Sequence, residues 1–472
     1  MTTKTEFPRR LLDSNAALAE SAQQQASSTI MSRDEAQRLV QRITAMSQAD
    51  EIQVNVNSGR QTNIRFADNR ISTAGSVQNA GLGIESAFGC RSAAVTTNDL
   101  SDAGLERAVR QSEALAKLAP ENPEAMPALP VQQYSSPAAF FTSVADLSAA
   151  ARAEAARAAI DLAKAENDLK VAGFIQANAG ASALGNNKGL FAYHPSTQVN
   201  NTLTVRTTDG TGSGWAGADE RDWNRIDFRR VAETAIRKAR LSQNPVAIEP
   251  GRYTVILEPQ AVADLVSLLA FALDARSADE GRSAFSKQGG GTKIGEKLMD
   301  ERITILSDPT DPALLTQPFD GQGLPLGRQV WVENGVLKNL FYSRFWAQKQ
   351  GTAPTGFPTS VKMLGGETDL EQMIASTPRG VLVTRLWYLR QVDPRTILYT
   401  GLTRDGTFLV ENGRISRAIR NFRFNESPLF MLNNVEAVGR PQRIAGAEGG
   451  GAMVMPALKV RDFNFTSLSE AV

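Results

Sequence analysis

Two residue counts bound the chemistry open to this chain. His194 is the only histidine and Cys90 the only cysteine among 472 residues. A catalytic zinc ion usually takes three protein ligands from His, Cys, Asp and Glu, and most sites use at least one His or Cys. A nucleophile activated by an imidazole has only His194 to draw on. His194 stands in Phe191-Ala-Tyr-His-Pro-Ser196, at the expected end of a strand, where a hydrogen-bonded turn residue is a plainer reading than a base. Cys90 lies between Gly89 and Arg91. A neighbouring cation favours a thiolate, but a small, half-buried residue fits the position as well. A lone cysteine allows no intramolecular disulfide, which suits a reducing compartment.

The remaining candidates are weaker. Asp279-Glu280 and Asp300-Glu301 are adjacent carboxylates. Acid–base work needs them to converge on one cleft, whereas neighbours on a strand point to opposite faces, so solvated surface is expected. Gly212-Ser-Gly214-Trp-Ala-Gly217 matches G-x-G-x-x-G, but the acidic stretch Ala218 to Asp222 follows it. A pyrophosphate cradle needs glycines that open a helix, so a tight loop between strands is expected instead. Gly289-Gly-Gly291 and Gly449-Gly-Gly451 lack the Lys-Ser/Thr ending of a phosphate loop. They read as open loops, although an extended peptide on a sheet edge would exploit such openness. Thr403-Arg404-Asp405-Gly406 reads either as an Asp-Gly turn or as an arginine that binds a peptide carbonyl or carboxylate. Spacing alone does not separate the two.

The elements that would hold these residues follow from period and punctuation. Ser32 to Glu35 is a capping box ahead of Leu39, Ile43 and Met46 at helical spacing. Ile52, Val54 and Val56 alternate as a strand, and Asn63 to Phe66 and Arg70 to Thr73 flank an Ala67-Asp68-Asn69 turn. Strands at 81–88 and 92–96 and a helix at 99–119 complete an α+β unit. Four prolines between Glu121 and Pro137 mark a linker. An Ala-rich helix over 146–165 leads into strands at 170–178, 189–193 and 201–207 and a helix at 228–241. Beyond Gly251 the chain is strand-rich, with one long helix over 261–275. Asn334-Gly335 and Asn412-Gly413 each separate apolar runs and predict type I′ hairpins. The fold class is α+β. An N-terminal sandwich-like part precedes a hairpin-rich, mostly antiparallel, barrel-like C-terminal domain with one long helix. The divisions are a flexible arm at 1–30, an α+β domain at 31–120, a linker at 121–145, a central segment at 146–243 and a β-rich domain at 250–468.

Charge and hydropathy exclude some partners. Lys+Arg is 51 against Asp+Glu 50, which gives no electrostatic case for nucleic acid or an anionic membrane. No apolar run reaches the roughly 18 residues of a membrane span. Arg9-Arg10-Leu11-Leu12 hints at an export signal, but the polar stretch Asp13 to Gln25 supplies no apolar core for one. A cytoplasmic location is expected.

Long motifs carry a family resemblance. The stretch Arg385 to Ile415, with Arg404-Asp405-Gly406 and Glu411-Asn-Gly413 inside it, resembles the C-terminal signature of the TldD/PmbA family. So do Asn421 to Ser427 and Phe319 to Gly323, and the stretches Arg65 to Ile71 and Thr208 to Trp215 are similar to its earlier parts. The resemblance covers about residues 35 to 465. It implies an intracellular peptidase scaffold, once called a modulator of DNA gyrase, that dimerises around a cavity and receives peptides as extended strands. TldD-like members carry H-E-x-x-x-H on a helix of the C-terminal domain, with a Cys near the C-terminus completing a zinc site. PmbA/TldE-like members lack these ligands and pair with a TldD-like subunit. Here the aligned positions hold Ser267, Leu268 and Ala272, and Gly450 to Pro456 contains no Cys. The resemblance therefore implies no metal and no catalytic residue in this chain. It implies zinc in a partner paralogue, with a self-standing peptide-binding or scaffold homodimer as the alternative. Arg404 and Asp405 are the candidate peptide contacts.

Overall fold

A computed structural model describes residues 30–358, 360–446 and 452–469. The expected arm at 1–30, all but its last residue, and the Gly449-Gly-Gly451 loop lie outside them, as does the start of the Gly450 to Pro456 stretch.

The first half is one long sheet. Helix α1 (Arg33–Met46) opens on the capping box: Ser32 Oγ accepts from the Glu35 amide at 3.3 Å, and Glu35 Oε2 accepts from the Ser32 amide at 2.8 Å. Strands β1 (Glu51–Ala67), β2 (Arg70–Phe88) and β3 (Arg91–Thr97) follow, then α2 (Asp102–Leu118) and α3 (Ala149–Ala165). Next come β4 (Leu169–Asn186), β5 (Phe191–Thr207), β6 (Ser213–Glu220) and α4 (Phe228–Leu241). The strand order is β3-β2-β1-β4-β5-β6, so the sheet runs continuously across the proline-rich segment through the β1–β4 pairing. Even-numbered residues of β1 (Ile52, Val54, Val56, Ile64, Phe66) are buried beneath the helices, and odd-numbered ones (Asn55, Asn57, Gln61, Asn63) point to the other face.

These strands are about twice as long as their apolar runs announce. The expected breaks at 57–62 and 74–80 are polar stretches in which β1 and β2 stay paired without interruption. Likewise β5 runs straight through His194-Pro195, which sequence reads as a strand end. Strand β6 pairs only with Val199 to Arg206, so β5 has a free edge at Pro195, where a missing N–H costs nothing. Of the G-x-G-x-x-G glycines, Gly212 closes the tight β5–β6 connection as expected, whereas Gly214 and Gly217 lie within β6. A Cβ on Gly214 would stand 2.2 Å from the Ala235 carbonyl of α4, so Gly214 permits close helix–strand packing.

The second half opens with β7 (Gly251–Leu257) and α5 (Pro259–Ala272). Short strands β8 (Ile305–Ser307), β9 (Gln329–Glu333), β10 (Val336–Leu337) and β11 (Val361–Met363) come next. The long hairpin β12 (Arg379–Asp393) and β13 (Leu398–Glu411) follows, then β14 (Arg414–Ala418), β15 (Phe422–Glu426), β16 (Val435–Val438), β17 (Gln442–Arg443), β18 (Met453–Met455) and β19 (Leu458–Leu468). Strands β12, β7, β19, β15 and β13 close on themselves as a five-stranded barrel. The Asn-Gly hairpins form as the sequence predicts: Asn334 and Gly335 take φ of 49° and 77°, Asn412 and Gly413 51° and 75°. Phe422, Phe463 and Phe465 fill the barrel core, with Phe422 stacked on Phe465 at 4.5 Å.

The proline-rich segment is a strap, with partners along its length. Glu124 accepts two 2.9 Å hydrogen bonds from Arg276, Arg344 donates to the Pro127 carbonyl at 2.6 Å, and the Tyr134 hydroxyl donates to the Gly323 carbonyl at 2.7 Å. Burial, and then the charge of Asp320, push Tyr134 up to about 12, so it remains a hydrogen-bond donor. Two buried ion pairs lock the halves together elsewhere: Lys238–Glu258 at 2.6 Å and Arg443–Asp219 at 2.7 Å.

Candidate functional site

The positions that the family resemblance aligns with a zinc motif, Ser267, Leu268 and Ala272, lie on α5. Pro259 at the first helical position presets the backbone, and apolar residues surround the helix on nearly all sides. Val262, Leu265, Val266 and Leu269 are all within 1% of full burial against the barrel and its neighbours. Each such side chain contributes about 1.5–3 kcal/mol through area removed from water. Asp264 is the only charged residue of the helix, and both of its oxygens are engaged: Oδ1 accepts from Gln260 Nε2 and Oδ2 from the Leu386 amide, each at 3.0 Å. It pins α5 to β12 beside a register break in that strand.

A zinc ion does not fit this donor set. Ser267 is buried and its hydroxyl donates back to the Asp264 carbonyl at 3.0 Å. Leu268 and Ala272 pack partly buried against the core. One residue to either side brings only Val266, Leu269, Phe271 and Leu273. Among the described residues no three His, Cys, Asp or Glu side chains cluster as metal ligands would.

The C-terminal end of α5 touches the wall of a cleft through one aromatic ring. The half-exposed Phe271 ring lies 5.6 Å from Phe357, which stacks edge-on to Phe341 at 5.2 Å. Phe357 lines a cleft of about 730 Å³ between the long sheet and the C-terminal half, together with His194, Arg221, Trp331 and Ala452. His194, the lone histidine, is therefore in the cleft wall. Burial, and secondly the Arg221 charge, push its pKa down to about 4, so it stands there as a neutral imidazole. Arg221 is itself lowered to about 10, by burial and then by Arg443. A second concavity of about 930 Å³ lies over the sheet's open face and shares Ser196, Gln198 and Arg221 with the cleft.

Arg404 and Asp405 occupy a different place, at the seam between β13 and β6. They form no turn: Asp405 (φ 54°) and Gly406 (φ 123°) make a bulge inside the fourteen-residue β13. Asp405 is buried, and its Oδ1 accepts from Ser213 Oγ at 2.7 Å, which ties the barrel to the long sheet. Its Oδ2 lies 3.7 Å from Arg404 Nε and 3.8 Å from Arg385 Nη1. The Arg404 guanidinium stands 3.9 Å over the Trp387 ring and that of Arg385 5.0 Å over Trp215. Burial holds Arg404 below the usual arginine range; Arg206 and Arg385 add to this while Asp405 opposes it.

The other candidates scatter. Asp279 accepts from Trp346 Nε1, Glu280 pairs with Arg276 and Arg282, and Asp300 and Glu301 pair with Arg302 and Lys297. Cys90 is exposed at the β2–β3 turn. Sequence reasoning missed Arg221 and the polar rows of the open face. The signal for the latter was available, since Asn55, Asn57, Gly59 and Gln61 alternate at period two.

Comparison with known proteins places this architecture. Models of the PmbA/TldA metallopeptidase match in three parts: domain 1 at residues 53–116, the central domain at 142–243 and the C-terminal domain at 250–467. A protein named Metalloprotease from Methanothermobacter thermautotrophicus is 27% identical over 292 residues, 56% of this chain. The match spans 61% of that relative's length, under two thirds of it. A Metalloprotease PmbA homolog from Haemophilus influenzae is 21% identical over 84% of this chain and 89% of its own. The crystal structure of TldE from Thermococcus kodakarensis superposes with a TM-score of 0.81, covering 91% of this chain and 99% of that one at 21% identity, a likeness of fold. No helix among the described residues is long and apolar enough to cross a membrane. With all three of its domain models matched in order, the chain belongs to the PmbA/TldD family.

Proposed function

We propose that this chain is the metal-free, PmbA/TldE-like subunit of a two-component cytoplasmic metallopeptidase. It pairs with an H-E-x-x-x-H-bearing paralogue that supplies the zinc, and it contributes surfaces that hold extended or unfolded peptides. The observation that carries this reading is α5. The helix touches, through Phe271, a ring that lines an interdomain cleft, yet Ser267, Leu268 and Ala272 present one satisfied hydroxyl and two alkyl groups where ligands are needed. Relatives named metalloproteases supply the reaction class, hydrolysis of peptide bonds. The single exposed thiol at Cys90 suits a reducing compartment. Affinity capture of the tagged full chain from its native host tests the pairing. Recovery of an H-E-x-x-x-H paralogue in equal amount is expected. Recovery of the chain only as a homodimer would sink this reading in favour of a self-standing peptide-binding protein.

A further inference from the structure

The groove over the open face of the long sheet contains no carboxylate among its lining residues. Its floor is built from paired strands whose facing residues share a side. The β1–β4 register sets Asn57 opposite Ser182 and Gln61 opposite Asn178, with Gly59 opposite Gly180 between them. A Cβ on either glycine would stand 2.7 Å from a carbonyl of the neighbouring strand, so the floor there is bare backbone. Carboxamides carry both a donor and an acceptor, which answers the alternating N–H and C=O groups of an extended chain. Arg60 belongs to the same stretch, but it sits on the helix-covered parity of β1 and donates to the Leu147 carbonyl at 2.7 Å.

Arg221 stands where the groove meets the cleft and lines both. Its hydrogen bonds go to backbone carbonyls, Thr197 at 3.1 Å and Leu314 at a long 3.5 Å, and its buried Nε has no acceptor. Among the described residues no ion pair engages it. The neighbouring Asp219 is committed to Arg443 at 2.7 Å. No carboxylate lines the groove, Asp219 and Glu220 act on Arg221 through charge without forming an ion pair, and Nη1 and Nη2 each keep a second N–H, so this guanidinium is arranged to hold a carboxylate through paired N–H donors.

We propose that Arg221 binds a carboxylate of an extended peptide laid across this groove, either an Asp or Glu side chain or the peptide's own C-terminus. The assignment rests on the peptide-handling reading above and narrows its ligand to acid-bearing peptides. A nucleic acid fits less well: no aromatic ring lines the groove for base stacking, and one guanidinium does not follow a run of phosphates.

Fluorescence anisotropy on the purified full chain tests it, using three labelled unstructured peptides of one sequence. One carries Glu with an amidated terminus, one has Gln for Glu with a free C-terminal carboxylate, and one is neutral at both. At least one acidic peptide is expected to bind about tenfold more tightly than the neutral one, and the comparison of the two names the source of the carboxylate. Arg221→Gln should erase the difference. Ser196→Asp, which adds an acid at a residue lining both cavities while keeping the bonds of Arg221, should erase it too and covers the case in which the first variant misfolds. Equal binding of all three peptides overturns the role of Arg221 and leaves peptide handling standing. Binding of none overturns both. A single-stranded oligonucleotide bound more tightly than every peptide would replace the proposed ligand class.

Discussion

Helix α5 and the open face of the long sheet are built in opposite ways. On α5 the residues facing the barrel are apolar, and the few polar atoms are closed by partners within the helix, on β12 or at the Gly446 carbonyl. On the open face, carboxamides, hydroxyls and glycines stand unburied along β1, β2 and β4, and Arg221 adds a charge that forms no ion pair among the described residues. The helix has the construction of a packing element, the sheet face that of a contact surface. The proposed division of labour, in which this chain binds and a partner cuts, would account for this difference.

Variants can break the comparison at several levels. The largest effect is expected at the joint between the two regions. Arg443→Met strands Asp219, which is 4% exposed, without its 2.7 Å partner, and breaking such a buried pair costs about 3–5 kcal/mol. Urea titration monitored by circular dichroism should show the midpoint falling accordingly; an unchanged midpoint would mean that the halves are held together elsewhere. Within the regions, Leu269→Ala on α5 should cost about 2–5 kcal/mol, as large-to-small changes in cores do. Gln61→Ala on the open face should stay within about 0.5 kcal/mol of the parent. Similar losses for the two would erase the distinction drawn here.

His194 offers a smaller, pH-dependent readout. Unfolded, its imidazole takes a proton near 6.5, whereas in the fold burial lowers this to about 4. The unfolded state therefore binds more protons between those values, and the stability held above pH 6.5 is lost as pH falls towards 4. The span amounts to about 3 kcal/mol. His194→Gln should flatten that slope of stability against pH; an unaltered slope would place the titrating group elsewhere.

Much of the fold was legible where local chemistry decides. The Ser32–Glu35 box, both Asn-Gly hairpins and α5 follow from capping, turn and periodicity rules that act over a few residues. The middles of β1 and β2 did not follow, because one side of the sheet there is polar and strand length is fixed by pairing with distant residues such as Asn178 and Ser182. The same reason hid His194 inside β5 and Gly214 beneath α4: a proline and a glycine look like breakers until the neighbouring element is known. The expectation that α5 carries no ligand set came from two residue counts and the family motif. Arg221 was not, since its position depends on Leu314 and Arg443, both far away in the chain.

The central claim concerns α5, and metal content tests it most directly. The full chain, purified alone after growth with added zinc and then dialysed, can be assayed by elemental analysis. The account predicts far less than one zinc per chain, because Ser267, Leu268 and Ala272 offer no ligand set. One tightly held zinc per chain would contradict it.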